Sequence, residues 1–107
     1  MKQISAPDLQ AWLADGARPA PGILDVREPW EVERSALAQA VMIPMRDIPA
    51  RAGELDRQRP WVVFCHHGAR SMQVGLYLEA QGFADVSNLA GGINAWSMLV
   101  DPSVPRY

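Results

Sequence analysis

The sequence predicts an α/β fold: a single domain whose central sheet, mainly parallel and of about five strands, carries helices on both faces. Three observations lead there. Segments of strand and helix character alternate along the chain, which implies parallel strands joined by helical crossovers. The run Trp61-Val62-Val63-Phe64 is apolar at every position, as a strand covered on both faces must be. Finally, 107 residues that are 49% hydrophobic and 21% charged suffice for one buried core and leave little room for a second. The same composition excludes a disordered tail or low-complexity linker. With no internal repeat and no linker, the chain reads as one domain over residues 1–107, its core at about 5–98 and a tail at 101–107.

Each element has a local reason. Ser5-Ala6-Pro7-Asp8 marks a helix start, with Ser5 as N-cap, Pro7 in the first turn and Asp8 in the capping position. Leu9, Trp12 and Leu13 then share a face, and Gly16 supplies the stop. After a Pro/Gly-rich turn, Ile23-Leu24-Asp25-Val26 is a short buried-strand candidate. Pro29 opens a short helix through Glu31 to Arg34. Ala40 to Ile43 is a weaker strand stopped by Pro44, and Ile48 to Leu55 a helical segment with Ile48 and Leu55 inward. Trp61 to Phe64 is the best strand. Ser71 to Gln81 is a helix ended by Gly82, with apolar residues on more than one face, so extensive burial is expected. Asp85 to Leu89 is the last strand, Gly91-Gly92 a turn, and Ile93 to Leu99 a closing helix with Trp96 inward. The tail Asp101-Pro102-Ser103-Val104-Pro105 cannot continue it.

Charge and cysteine count narrow the function classes. Ten Lys and Arg against twelve Asp and Glu leave a net charge of -2, so no basic field exists for nucleic acid or an acidic membrane. Met1 to Ser5 carries no apolar leader, and Trp61 to Cys65 is far too short to span a bilayer. No membrane partner is expected, and a cytoplasmic, reducing location is. A single Cys excludes an intrachain disulfide and a multi-thiolate metal site.

That Cys65 closes the best strand, and His66-His67-Gly68-Ala69-Arg70 separates it from the helix expected at Ser71. Ligands of open α/β sheets bind beyond the carboxyl ends of strands, so position alone favours a site here. A loop this short must curl tightly, and Gly68 permits the backbone angles. Successive N–H groups curling into a helix N-terminus make an anion nest, and a sulfur within one is stabilised as thiolate. Arg70 acts in the same direction. The plainer reading makes Cys65 the last core residue of an apolar strand; strand-end position, Gly68 and Arg70 together outweigh it.

Cys65-His66-His67-Gly68-Ala69-Arg70-Ser71 resembles the active-site loop C-x-x-G-x-R-S of the rhodanese family. Leu24-Asp25-Val26-Arg27-Glu28 is similar to the family's first-strand motif, Ile43-Pro44 to its "NIP" element, and Leu89-Ala90-Gly91-Gly92-Ile93-Asn94-Ala95-Trp96 to its closing L-x-G-G-x-x-A-W. The likeness runs from about Ser5 to Met98. Two departures stand out. Ser35-Ala36-Leu37-Ala38-Gln39-Ala40 replaces the usual Gly-His-Ile-Pro-Gly-like turn, and His66 stands where many thiosulfate-using members have Arg.

The resemblance implies a rhodanese-like domain and sulfur transfer. The Cys65 thiolate would take the sulfane sulfur of a small anionic donor such as thiosulfate, form a persulfide, and pass the sulfur to cyanide or a thiol, including a thiol-bearing protein. No metal or organic cofactor is needed. His66, His67, Gly68, Ala69, Arg70 and Ser71 would form the substrate- and persulfide-binding loop, the histidines through backbone N–H groups, Arg70 by fixing an anionic donor, Ser71 as helix N-cap or substrate contact. Asp25 would hydrogen-bond the loop, orient Arg27 or cap the next segment; Arg27 would stand at the pocket mouth or on the surface. Trp61 and Trp96 read as core, Trp30 as core or pocket rim. Three rival readings compete with this one. Cys-dependent phosphatases and arsenate reductases need a larger cradle: phosphatases carry C-x5-R, and here Arg70 is the fifth residue after Cys65 and Ser71 the sixth. A non-catalytic interaction module is disfavoured because the Cys is kept, with Gly68 and Arg70, while a sulfur-carrier module stands as the alternative. A metal held by Cys65, His66 and His67 fails because adjacent ligands on one short loop do not converge.

Overall fold

The chain, described over residues 1–107 by a computed structural model, opens with a strand that the sequence pattern does not announce. β1 (Lys2–Ile4) forms one sheet edge, its Lys2 opposite Ser87 and its Ile4 opposite Leu89 in parallel register. Lys2 and Gln3 are exposed, so no apolar run marks it; the Ile4 carbonyl accepts the Ala90 N–H at 2.9 Å. α1 (Ala6–Ala14) follows, its Ser5 hydroxyl accepting the Asp8 N–H at 3.1 Å as the cap motif predicts. Leu9 and Trp12 are buried on it, whereas Leu13 is 43% exposed, placed at the lip of a cavity instead of against the sheet.

β2 (Gly22–Asp25) and α2 (Pro29–Arg34) lie within a residue of their expected spans. β3 (Val41–Met42) is a shorter piece of the expected strand, two exposed residues on the other sheet edge. The single helix expected over 48–55 is instead α3 (Ile48–Arg51) between two 3-10 turns, Met45–Asp47 and Ala52–Glu54. Gly53, a poor helix former, lies in the second turn. Ile48 and Leu55 nevertheless point inward, as expected. β4 (Trp61–Phe64), α4 (Ala69–Ala80), β5 (Val86–Leu89) and α5 (Gly92–Leu99) complete the chain. α4 begins two residues earlier than expected and buries one face only, through Ser71, Val74, Gly75 and Leu78. Leu76 is 51% exposed, because the sheet covers a single side of that helix.

The five strands form one parallel sheet in the order β1-β5-β4-β2-β3. Alternation along the strands sends side chains to two separate cores. Trp61, Val63, Leu24 and Val86 meet Ile48 of α3 and Val74 and Leu78 of α4 on one face. Val62, Phe64, Ile23 and Leu89 meet Leu9 and Trp12 of α1 and Ile93 of α5 on the other. Trp96 is half-buried beside this second core, and Val104 and Tyr107 of the tail pack on it too. The connection from β2 leads outward to β3, while that from β4 leads the opposite way to β5. The crevice between β2 and β4 is therefore the switch point of the sheet, where α/β folds place their sites.

Candidate active site

Cys65 follows β4 directly, at that switch point, and keeps the parity of Trp61 and Val63, so its side chain turns toward the α4 face. It is 1% exposed. Gly68, the N-cap of α4 at φ +117°, reverses the backbone and brings its N–H to 3.1 Å from the Cys65 Sγ. The backbone N–H groups of Arg70 and Ser71, the first turn of α4, also face the sulfur, and the Ser71 hydroxyl lies 3.4 Å from it. Burial is the largest single influence on the thiol and pushes its pKa up; the Ser71 hydroxyl and these N–H groups together outweigh it, leaving the thiol more acidic than usual.

The loop is gripped from behind. The Ile93 and Asn94 N–H groups at the start of α5 donate to the Cys65 and His66 carbonyls at 3.0 and 3.2 Å, which leaves the other side of the curl to present its N–H groups. Gly92 makes that approach possible: a Cβ there would stand 2.3 Å from the His66 carbonyl oxygen. Below the loop, the Ser71 hydroxyl also contacts Asn88 Oδ1 and the Gly68 carbonyl at 3.2 Å. Asn88 Nδ2 donates to Gly68 O at 3.2 Å and to Gln3 Oε1 at 3.1 Å, tying the first strand to the nucleophile's surroundings.

Both arginines of the site are paired. Arg70 makes a two-pronged contact with Glu31 of α2, Nη1 to Oε1 at 2.6 Å and Nη2 to Oε2 at 2.8 Å. Arg70 holds the Glu31 carboxyl down at about 2 against the opposing effect of burial, with further help from hydrogen bonds by the Glu28 N–H and the Tyr107 hydroxyl. Arg27, expected at the pocket mouth or on the surface, is at neither: its side chain is fully buried. Its Nε and Nη2 donate to both oxygens of Asp25 at 2.9 and 2.7 Å, and Nη2 also donates to the Ser35 carbonyl at 2.7 Å. Asp25 thus orients Arg27, and none of its bonds reaches residues 65–71. This pair fixes the start of the atypical 35–40 segment, where Gln39 takes φ +66°.

Several expectations need correcting on this geometry. The N–H groups brought to the Cys65 sulfur itself are those of Gly68, Arg70 and Ser71. His67 is exposed, and the His66 ring lies between those of His67 and Tyr107, 4.0 Å from each. Ser71 is not the N-cap of α4; it stands in the first turn, fully buried against the sulfur. Arg70 is not free in solvent, because Glu31 holds both of its terminal nitrogens. Trp61 is core as expected, whereas Trp30 is 56% exposed and meets Tyr107 edge-on at 6.1 Å. Glu31, Asn88 and Tyr107, which lie outside the loop motif, complete its surroundings together with Gly92. No three His, Cys, Asp or Glu side chains gather where they could hold a metal, and no helix is long and apolar enough to cross a membrane. The largest cavity, about 430 Å³, lies on the opposite face between α1, α5 and residues 36–39.

Fold and site together define a class: a parallel α/β domain with a single cysteine held inside an N–H-lined curl at the sheet's switch point. By comparison with known proteins, the chain belongs to the rhodanese-like domain family, which matches residues 5–99. It is 35% identical over 95 residues to the thiosulfate sulfurtransferase GlpE of Coxiella burnetii, covering 89% of this chain and 86% of that protein. It is 42% identical over 89 residues to the Rhodanese-like/PpiC domain-containing protein 12, chloroplastic, of Arabidopsis thaliana. That match takes in 79% of this chain, which spans only 30% of the longer relative. Among solved structures, a rhodanese-like domain protein from Staphylococcus aureus superposes with a TM-score of 0.85 at 31% identity, over 100% of this chain and 99% of that one.

Proposed function

We propose that the chain is a sulfurtransferase that moves a sulfane sulfur from thiosulfate or a similar small anionic donor, through a Cys65 persulfide, to cyanide or a thiol, including a thiol on another protein. The observation that carries the reading is the Cys65 sulfur itself, held by the Gly68 N–H at 3.1 Å and the Ser71 hydroxyl at 3.4 Å, its thiol made more acidic than usual. In the first step the thiolate attacks the outer sulfur of the donor. The donor's S–S bond breaks, sulfite leaves with the electron pair, and Cys65 carries the persulfide. In the second step the acceptor thiolate attacks the terminal sulfur, the persulfide bond breaks, and the Cys65 thiolate returns. Two easier steps replace one difficult one, with ping-pong kinetics as the signature.

In this reading the N–H groups of Gly68, Arg70 and Ser71 stabilise first the thiolate and then the terminal sulfur. Arg70 anchors the loop through Glu31. Asp25 and Arg27 support the adjoining segment from the core. His66, His67 and Ala69 shape the outer curl. The chain has one Cys, so it holds no second thiol to receive the sulfur, and the acceptor comes from outside.

The test is intact-mass measurement after incubation with thiosulfate. The expected result is a gain of one sulfur, roughly 32 Da, removed by cyanide or a thiol and absent in Cys65→Ala. Cys65→Ala keeps its fold and loses transfer altogether. An unchanged mass of the native chain, under conditions that preserve persulfides, would leave an interaction module instead.

A further inference from the structure

Tyr107 lies 42 positions beyond Cys65, in a tail with no part in the motifs that signal sulfur chemistry. The tail is nonetheless built. The Asp101 N–H donates to the Trp96 carbonyl at 2.9 Å, the Ser103 N–H and hydroxyl bond the Asp101 carboxylate, and Val104 packs on the second core. This strap delivers Tyr107 to two handles of the loop. Its hydroxyl accepts from Arg27 Nη1 at 3.0 Å and donates to Glu31 Oε2 at 2.7 Å, on the carboxylate that grips Arg70. Its ring lies flat on His66, 4.0 Å away and tilted by 8°.

We propose that Tyr107 is a positioning residue for the sulfur-binding loop, held in place by the strap Asp101–Tyr107. The loop's role rests on the sulfurtransferase reading; the contacts do not. Each handle ends on a part of the curl that matters. Arg70 contributes a backbone N–H to the sulfur, and its guanidinium is fixed only as well as Glu31 is fixed. His66 follows Cys65 directly, and its ring, stacked on Tyr107 and His67, also meets the Tyr107 backbone, so the tail bears on its orientation. Burial pushes the Tyr107 hydroxyl up to about 12, against the pull of Arg27 and with the Glu31 bond adding to the rise, so it remains a neutral donor. The charged and titratable groups around this assembly are Asp25 of β2, Arg27 after it, Glu31 on α2, His66 and His67 in the loop and Arg70 on α4.

The rate of Cys65 alkylation by iodoacetamide as a function of pH tests this without requiring sulfur transfer. Tyr107→Ala removes both handles and moves the midpoint up by about one pH unit, roughly a tenfold loss of thiolate below the midpoint. Tyr107→Phe keeps the ring over His66, loses the hydroxyl and moves the midpoint about half as far. With thiosulfate, kcat/KM falls in the same order. A Tyr107→Ala profile superimposed on the native one overturns the proposal. So does faster alkylation at every pH with an unmoved midpoint, which would make the strap a mere cover. If Tyr107→Ala does not fold by circular dichroism, Tyr107→Phe decides alone, and an unmoved midpoint overturns it. A native chain that takes no sulfur from thiosulfate counts against the sulfurtransferase reading and leaves the alkylation profiles to judge Tyr107.

Discussion

Ser71 has one hydroxyl proton and three acceptors in reach: the Cys65 sulfur at 3.4 Å, the Gly68 carbonyl at 3.2 Å and the Asn88 side-chain oxygen. A thiolate is the charged competitor among them, and bonds to charged acceptors are the stronger ones. Ser71→Ala therefore raises the midpoint of Cys65 alkylation by about 1 to 2 pH units, the equivalent of a charge-assisted hydrogen bond of about 1.5–3 kcal/mol. An unmoved midpoint would assign the hydroxyl to Asn88 and the Gly68 carbonyl instead of the sulfur. At this scale the sequence is legible where partners are neighbours. Cys65, Gly68 and Arg70 stand within six positions of one another, and a curl needs only local geometry to explain it. Glu31 meets Arg70 across 39 positions and Asn88 meets Ser71 across 17, so neither pairing has a local signature. Arg27 is the sharper case. Surface placement is the rule for arginine, and it takes Asp25, the Glu31 and Ser35 carbonyls and Tyr107 together to make its burial tolerable.

Among the elements, α5 acts on the site without touching the sulfur. Its first N–H groups hold the Cys65 and His66 carbonyls, and Gly92 at φ +63° allows the approach. Gly92→Ala forces a Cβ onto the His66 carbonyl in an unfavourable backbone region and destabilises the domain by about 2–4 kcal/mol, read from the denaturant midpoint. Gly16→Ala, with nothing within 4 Å of the added Cβ, is the control and shifts stability by under about 0.5 kcal/mol. Equal effects would show that α5 does not bear on the loop. The elements differ in how well they announce themselves. β4 is apolar throughout and lies at the sheet's centre, where both faces demand it. β1 lies at an edge with two exposed residues, and its partners Asn88 and Asp85 lie more than 80 positions away, so no local pattern advertises it. α4 misleads in the other direction, since Leu76 belongs to its apolar run and still faces solvent.

For the whole molecule, the Glu31–Arg70 pair couples stability to acid. The Glu31 carboxyl sits at about 2 in the folded chain against an ordinary 4.5, so the unfolded chain binds the proton more readily in that window. The stabilisation is complete above about pH 4.5 and is lost as pH falls toward 2. It amounts to roughly 2 kcal/mol once the partial exposure of Arg70 is allowed for. Glu31→Gln lowers stability at neutral pH by about that much and flattens the acid limb of the stability curve; an acid limb as steep as the native one would mean that other carboxylates carry it. The same pairing, with Asp25 and Arg27, leaves the site little unbalanced charge, while Cys65 is only 1% exposed. The gate to Cys65 is then one of girth more than of charge. A slender uncharged reagent such as iodoacetamide is therefore expected to reach Cys65 faster than a bulky one, measured by alkylation rate; equal rates would show that girth does not gate the site.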